Sequence, residues 1–323
     1  MPDLPRLSIV TPSYNQAAFL EQTICSVLDQ GYPNLEYIVV DGASTDSSVD
    51  IIRKYAHRLA WWVSEPDLGQ AEAINKGFAR ATGEIVGWVN SDDLYLSGSF
   101  ERAAAAFRAF PEAGMVFGDV LAIDGAGCTL NVMRYGNWGL EDLMAFSIIG
   151  QPGVFMRRAC LEQARVGGQY LDTRFHYLLD HHLWLRIAMR APMHYIPELL
   201  AAGRFHEEAK NVAQAARFGQ EAYQVVDWMQ AQPELAERFS RLSPRVWAGV
   251  HRYNARYLLD GNQPGPALKS YWLSFKARPQ TALVEWHRMV YAFLCFLGLG
   301  RVKPAYFRLR RFLRRKKEPE LYG

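Results

Sequence analysis

Gly83-Glu84-Ile85-Val86-Gly87-Trp88-Val89-Asn90-Ser91-Asp92-Asp93-Leu94-Tyr95 is an apolar run that stops at two adjacent carboxylates. Ile, Val and Trp bounded by Gly and polar residues read as a buried strand, which puts Asp92 and Asp93 at its carboxyl end. In open α/β sheets, ligands bind outside the carboxyl ends of the strands. Two neighbouring carboxylates in a confined site repel each other, and a hard divalent cation that prefers carboxylate and phosphate oxygens relieves that repulsion. The stretch therefore points to a metal-bound diphosphate, with a polar loop capping a helix as the competing reading.

Towards the N-terminus the same pattern repeats. Leu7-Ser8-Ile9-Val10-Thr11-Pro12 reads as a first strand, stopped by Pro12 and followed by the turn-rich Ser13-Tyr14-Asn15-Gln16. Leu35-Glu36-Tyr37-Ile38-Val39-Val40 reads as a second strand ending at Asp41, and a third, Leu59 to Val63, ends in Ser64-Glu65-Pro66-Asp67. Helical spacing lies between them, at Phe19 to Leu28, Val49 to Tyr55 and Gln70 to Ala81. Successive strand-loop-helix units imply a parallel sheet, so the expected class is α/β: a Rossmann-like, mostly parallel sheet flanked by helices. Polar residues then gather along one sheet edge, which makes a single ligand cleft the expectation. The chain lacks both the G-x-G-x-x-G and the phosphate-loop G-x-x-x-x-G-K-[ST] patterns of other nucleotide sites.

Composition narrows the class further. Half the residues are hydrophobic (50%), 21% are charged, and the net charge is +3, which suits a globular chain with a sizeable core. Cys25, Cys128, Cys160 and Cys295 are scattered without a C-x-x-C pair, as expected of reduced thiols in a cytoplasmic protein, and zinc is not expected. No signal peptide is read at Met1 to Arg6, and the apolar run from Met289 to Gly300 is too short to span a bilayer.

Val10-Thr11-Pro12-Ser13-Tyr14-Asn15, then Val39-Val40-Asp41-Gly42-Ala43-Ser44-Thr45-Asp46, then Gly69 to Gly77, then Gly83-Glu84-Ile85 with Asn90-Ser91-Asp92-Asp93 resemble, in order and spacing, the family-2 nucleotide-sugar glycosyltransferases. The resemblance covers roughly the first two-thirds of the chain and implies a glycosyltransferase A-type fold with a divalent cofactor, Mn²⁺ or Mg²⁺. It implies that Pro12, Tyr14 and Asn15 edge the base pocket and that Asp41 hydrogen-bonds the base, usually uracil. The family's Asp-x-Asp motif falls on Asn90-Ser91-Asp92, with Asp92 as the metal ligand. Asn90 departs from that pattern, because an amide can bond a ribose hydroxyl but brings no charge to the metal, so Asp92 with Asp93 is expected to carry the cation.

Further along, Met115 to Val120 reads as another strand, with Asp119 either at the acceptor side or capping a turn. Gln151-Pro152-Gly153-Val154-Phe155-Met156-Arg157-Arg158 resembles the family's acceptor-side strand, so that Gln151 contacts donor sugar or acceptor, an ordinary buried amide being the rival reading. Leu179-Asp180-His181-His182-Leu183-Trp184-Leu185-Arg186 resembles the Glu-Asp-x-x-Leu-Trp-x-Arg motif, in which the aspartate is the general base; Leu179 replaces its Glu. Adjacent His181 and His182 point in different directions on a helix and are not expected to share a metal. Arg204-Phe205-His206 resembles the segment that closes many such domains, with His206 completing the metal site or meeting the diphosphate, against a purely structural role.

Residues 1–210 are thus expected to form a nucleotide-sugar-binding domain and 211–323 a helical extension, with helices over Phe218 to Gln230, Pro244 to Leu259 and Pro266 to Lys276. The apolar Val284 to Leu297 precedes nine basic residues between Arg301 and Lys317, which suits peripheral contact with an anionic membrane at the inner face of the cell. A helix packed on the domain with a solvated basic tail is the alternative, and no nucleic-acid partner is expected. Two functions fit. The first is an inverting, metal-dependent transferase (hexosyltransferase class) moving sugar from a nucleoside diphosphate, UDP, to a glycan or lipid-linked hydroxyl in surface-polysaccharide biosynthesis. The second is a non-catalytic nucleotide-sugar-binding or membrane-docking module on the same fold, suggested by Asn90 and Leu179. A nucleotidyltransferase lacks support, its Gly-rich, Arg-bearing N-terminal loop being absent.

Overall fold

Continuous apolar runs become strands buried on both faces, as parallel sheets covered by helices require. A computed structural model describes residues 4–206 and 215–300. Its nine-stranded sheet comprises β1 (Leu7–Ser13), β2 (Leu35–Asp41), β3 (Trp61–Ser64), β4 (Ile85–Trp88), β5 (Leu94–Tyr95), β6 (Met115–Asp124), β7 (Thr129–Met133), β8 (Val154–Arg157) and β9 (Met193–Phe205). The order is β3-β2-β1-β4-β8-β6-β9-β5, with β7 paired to β6. From β3 to β4 the pairing is parallel, as the strand-loop-helix rhythm predicts. Beyond β4 the sheet is mixed, because β8 runs antiparallel between β4 and β6 while β9 runs parallel to β6.

The helix Gln70–Arg80 packs directly on β1. A Cβ at Gly77 would stand 2.3 Å from Val10 Cγ1, so only glycine allows this approach. Such contact fixes the start of that helix, and with it Gln70, over the carboxyl ends of β1 and β4.

β9 carries no simple signal in the sequence. Pro197 lies inside it, and the register against β6 slips there, from Gly118↔Ile196 to Asp119↔Leu199. Proline cannot donate to a ladder, and an irregularity is how a sheet accommodates it.

The described residues divide into two compact units, within Met1–Leu143 plus Ser147–Ala209 and within Met144–Phe146 plus Lys210–Gly323. The second holds the helices Ala215–Gln230, Ala236–Asp260, Pro264–Ala277, Pro279–Leu283 and Trp286–Phe296. Pro244, read from sequence as a helix start, lies inside the second of these. Among the described residues no helix is long and apolar enough to cross a membrane. The basic stretch from Arg301 to Lys317 lies outside the described residues.

Candidate active site

Three strand ends are laced together at one edge of the sheet. After β1, Asn15 adopts a left-handed backbone (φ 51°), and its amide N–H donates to Ser44 Oγ at 2.8 Å while its Oδ1 accepts from Thr45 N at 2.8 Å. At the end of β2, Asp41 is fully buried and accepts from Ser44 N (2.9 Å) and Ser64 Oγ (2.7 Å). Gly42 follows it because a Cβ there would lie 2.8 Å from Asp67 Oδ2. Tyr14 is 61% exposed beside this cluster, and Pro12 is buried within β1.

At the end of β4 the two adjacent carboxylates part ways. Asp92 turns outward, with Oδ2 3.1 Å from His206 Nε2 and side chains 20% and 10% exposed. Asp93 turns inward: Oδ1 accepts from Arg204 N at 2.8 Å and Oδ2 from Asn90 Nδ2 at 3.2 Å. Burial and the neighbouring Asp92 charge push its carboxyl well above the usual range. Asp92 and Asp93, expected from the sequence to carry a cation together, thus face different ways, and each Asp93 oxygen accepts a bond inside the fold.

Asn90 is explained by the same geometry. Its Oδ1 accepts from Gln70 Nε2 at 2.7 Å and its amide donates to Asp93, so an aspartate here would set a third carboxylate against the buried Asp93. Ser91 is buried between them.

Arg204 holds this turn from behind. Its Nε donates to Asp92 O (2.8 Å), Nη2 to Gln22 Oε1 (2.9 Å) and Nη1 to Gly125 O (3.1 Å). Phe19 contacts both ends of the Arg-x-His segment, 4.7 Å from the guanidinium and 4.9 Å from the His206 ring. Arg204→Lys cannot span these acceptors. It should cost about 2–3 kcal/mol and lower the melting temperature by several degrees; calorimetry of the full chain checks this, and an unchanged melt would remove Arg204 as the brace.

Asp180 lies in the first turn of the helix Leu179–Ala188, and its Oδ1 accepts from His181 N at 2.7 Å. One turn on, Trp184 is fully buried and packs against Trp88 of β4, ring centroids 5.1 Å apart and planes tilted by 30°. The base-candidate helix and the Asp92 strand therefore share a core contact. Gln151 joins them, donating from Nε2 to Trp88 O at 2.7 Å, while its buried Oε1 has no partner among the described residues. Leu179 is buried, a place where the Glu of the motif would be desolvated. His181 and His182 are buried and neutral, the former pushed down to about 4 by burial. Arg186 is structural, bonding Ala164 O and Tyr170 O. Asp119 is a brace as well, accepting from Tyr135 N and Tyr195 Oη.

Asp92 and His206 are the side chains that could hold a divalent cation. One carboxylate oxygen and one imidazole nitrogen are within reach of each other, and among the described residues no third His, Cys, Asp or Glu joins them. This set suits Mg²⁺ or Mn²⁺, which take remaining oxygens from phosphate and water. Phe19, Gln22, Gln70 and Arg204 were not read as site residues from sequence, although Gln70 and Arg204 stand inside segments that carry the family resemblance.

Solved structures share the fold. Across 92% of this chain and 88% of the other, the fold matches the mannosyltransferase PcManGT from Pyrobaculum calidifontis, described in complex with GDP-Man and Mn²⁺ (TM-score 0.60, 22% identity). It also matches S. aureus TarS in complex with UDP over 98% of this chain and 93% of that one (TM-score 0.62, 17% identity). The fold is thus of the glycosyltransferase A type. Residues 8–128 match the model of glycosyl transferase family 2. A relative, the putative teichuronic acid biosynthesis glycosyltransferase TuaG of Bacillus subtilis, is 40% identical over 101 residues, which make up 30% of this chain and 40% of that one. The matched part is less than half the length of the first curated relatives.

Proposed function

We propose that the chain is an inverting glycosyltransferase that moves a sugar from a nucleoside diphosphate, UDP, to a hydroxyl of a lipid-linked or growing surface glycan. The observation that carries this reading is the outward Asp92–His206 pair at the end of β4, coupled through Trp88 and Trp184 to Asp180. Residues 1–210 hold the donor: Pro12, Tyr14 and Asn15 border the base, Asp41 bonds it, and Asn90, Ser91 and Gln151 line the ribose and sugar side. When bound, a divalent cation held by Asp92 and His206 neutralises charge on the leaving diphosphate. Asp180 accepts the acceptor proton as the oxygen bonds the anomeric carbon; the carbon–phosphate-oxygen bond breaks on the opposite face, and its electron pair leaves with the diphosphate. The helical region 211–323 contributes peripheral membrane contact.

The non-catalytic alternative loses its motive, since Asn90 and Leu179 each answer a structural demand of their surroundings. A panel of nucleotide sugars, assayed for release of nucleoside diphosphate, separates the readings. UDP-sugar turnover with Mn²⁺ or Mg²⁺ is expected, and chelation should reduce it by at least about tenfold. Tight UDP binding with no release from any donor would favour the binding module.

A further inference from the structure

The helix Trp286–Phe296 turns an apolar stripe outward. Its inward side pairs the fully buried Ala292 with a buried charge cluster: Arg288 is 7% exposed and pairs with Asp260 at 3.1 Å, while Glu285 at the N-cap, 5% exposed, bonds Arg256 (2.6 Å) and Tyr271 Oη (3.0 Å). Burial opposes charge on Glu285, yet Arg256, Arg288 and Arg252 outweigh it and hold the carboxyl down at about 2. The outward side carries Trp286, Val290, Phe293 and Leu297, each at least 50% exposed. They recur at intervals of four, three and four residues, which sets them in one stripe along the helix. A surface helix in water ordinarily turns polar residues outward.

Two further observations say what covers the stripe. The chain goes on from Gly300 into nine basic residues by Lys317 with no acidic one among them, so the sequence beside an apolar stripe is strongly cationic. The stripe also carries a tryptophan, a residue that favours the boundary between hydrocarbon and water. Eleven helical residues are too few to cross a bilayer, but they are enough to lie in its surface.

We infer that Trp286, Val290, Phe293 and Leu297 form a docking face that inserts shallowly into an anionic lipid surface, whose charge is complementary to the basic sequence that follows. The inference is independent of the sugar-transfer reading, since it concerns only the second unit. It fixes which side of the helix enters the lipid, and it makes the basic run and the stripe jointly necessary. An apolar stripe alone would bind neutral and anionic vesicles alike, and basic residues alone would bind with no dependence on Phe293.

Truncation cannot test this, because Glu285, Arg288 and Ala292 are buried in the unit's own interior. The full chain is instead sedimented with vesicles of phosphatidylglycerol mixed with phosphatidylcholine, and with phosphatidylcholine alone. Binding is expected to the first and to be weakened by salt. Val290→Glu with Phe293→Glu changes only exposed side chains, so the melting temperature should hold while binding falls at least about tenfold. Arg310, Arg311, Arg314 and Arg315 replaced by Ser should produce a similar loss. Equal binding by parent and variants overturns the inference. So does self-association of the parent without lipid that the Val290→Glu and Phe293→Glu pair abolishes, since the stripe would then cover a second copy. Donor turnover, measured on the same samples, reports separately on the sugar-transfer reading.

Discussion

Asp92→Asn is expected to lower kcat for sugar transfer by about two to three orders of magnitude. The substitution keeps the side chain's size and its contact with His206 but removes the one carboxylate of the β4 turn that faces outward. Charge that develops on the leaving diphosphate then loses its counterpart where displacement by solvent is least effective. UDP affinity should fall only when divalent metal is present, which calorimetric titration with and without Mn²⁺ reads directly. Asp93→Asn is the matched control: its carboxyl is turned away and already pushed towards the neutral form, so its loss should act on stability more than on turnover. Wild-type rates in Asp92→Asn would remove Asp92 from the site.

A comparable fall in turnover, roughly a hundredfold or more, is expected for Asp180→Asn. The amide fills the same space at the helix start, and Trp184 still packs on Trp88, so the scaffold should survive. What it lacks is a proton acceptor at the acceptor hydroxyl. The drop should appear in kcat with donor affinity nearly intact, which separates a base from a donor ligand. Loss of UDP binding in this variant would instead place Asp180 in the nucleotide pocket and defeat the assignment.

The first half of the fold was legible because each of its elements is local. β1, β2 and β4 are apolar runs closed by polar turns, and each helix between them has its own periodicity. β9 escaped because Pro197 interrupts it and the slip against β6 carries the chain past the interruption. Asp92 and Asp93 look alike in the sequence, and only Arg204, more than a hundred residues away, decides which of them is turned inward. Asn90 seemed to weaken a metal motif, but it is the residue that lets Asp93 stay buried. Long-range partners of this kind leave no periodic trace. Arg204 was within reach only through its place in the Arg-x-His segment.

The position of β8 bears on how the molecule is made. β1 to β4 can pair as soon as they leave the ribosome, but the strand that joins β4 to β6 is Val154–Arg157, almost seventy residues after Trp88. At ordinary synthesis rates that interval is on the order of ten seconds, during which the edge of β4 is unpaired and open to other chains. The segment 8–128 stops inside the interval, before Asp180 and His206. A fragment cut to that segment would lack β8, and the edge of β4 that β8 covers would stay open.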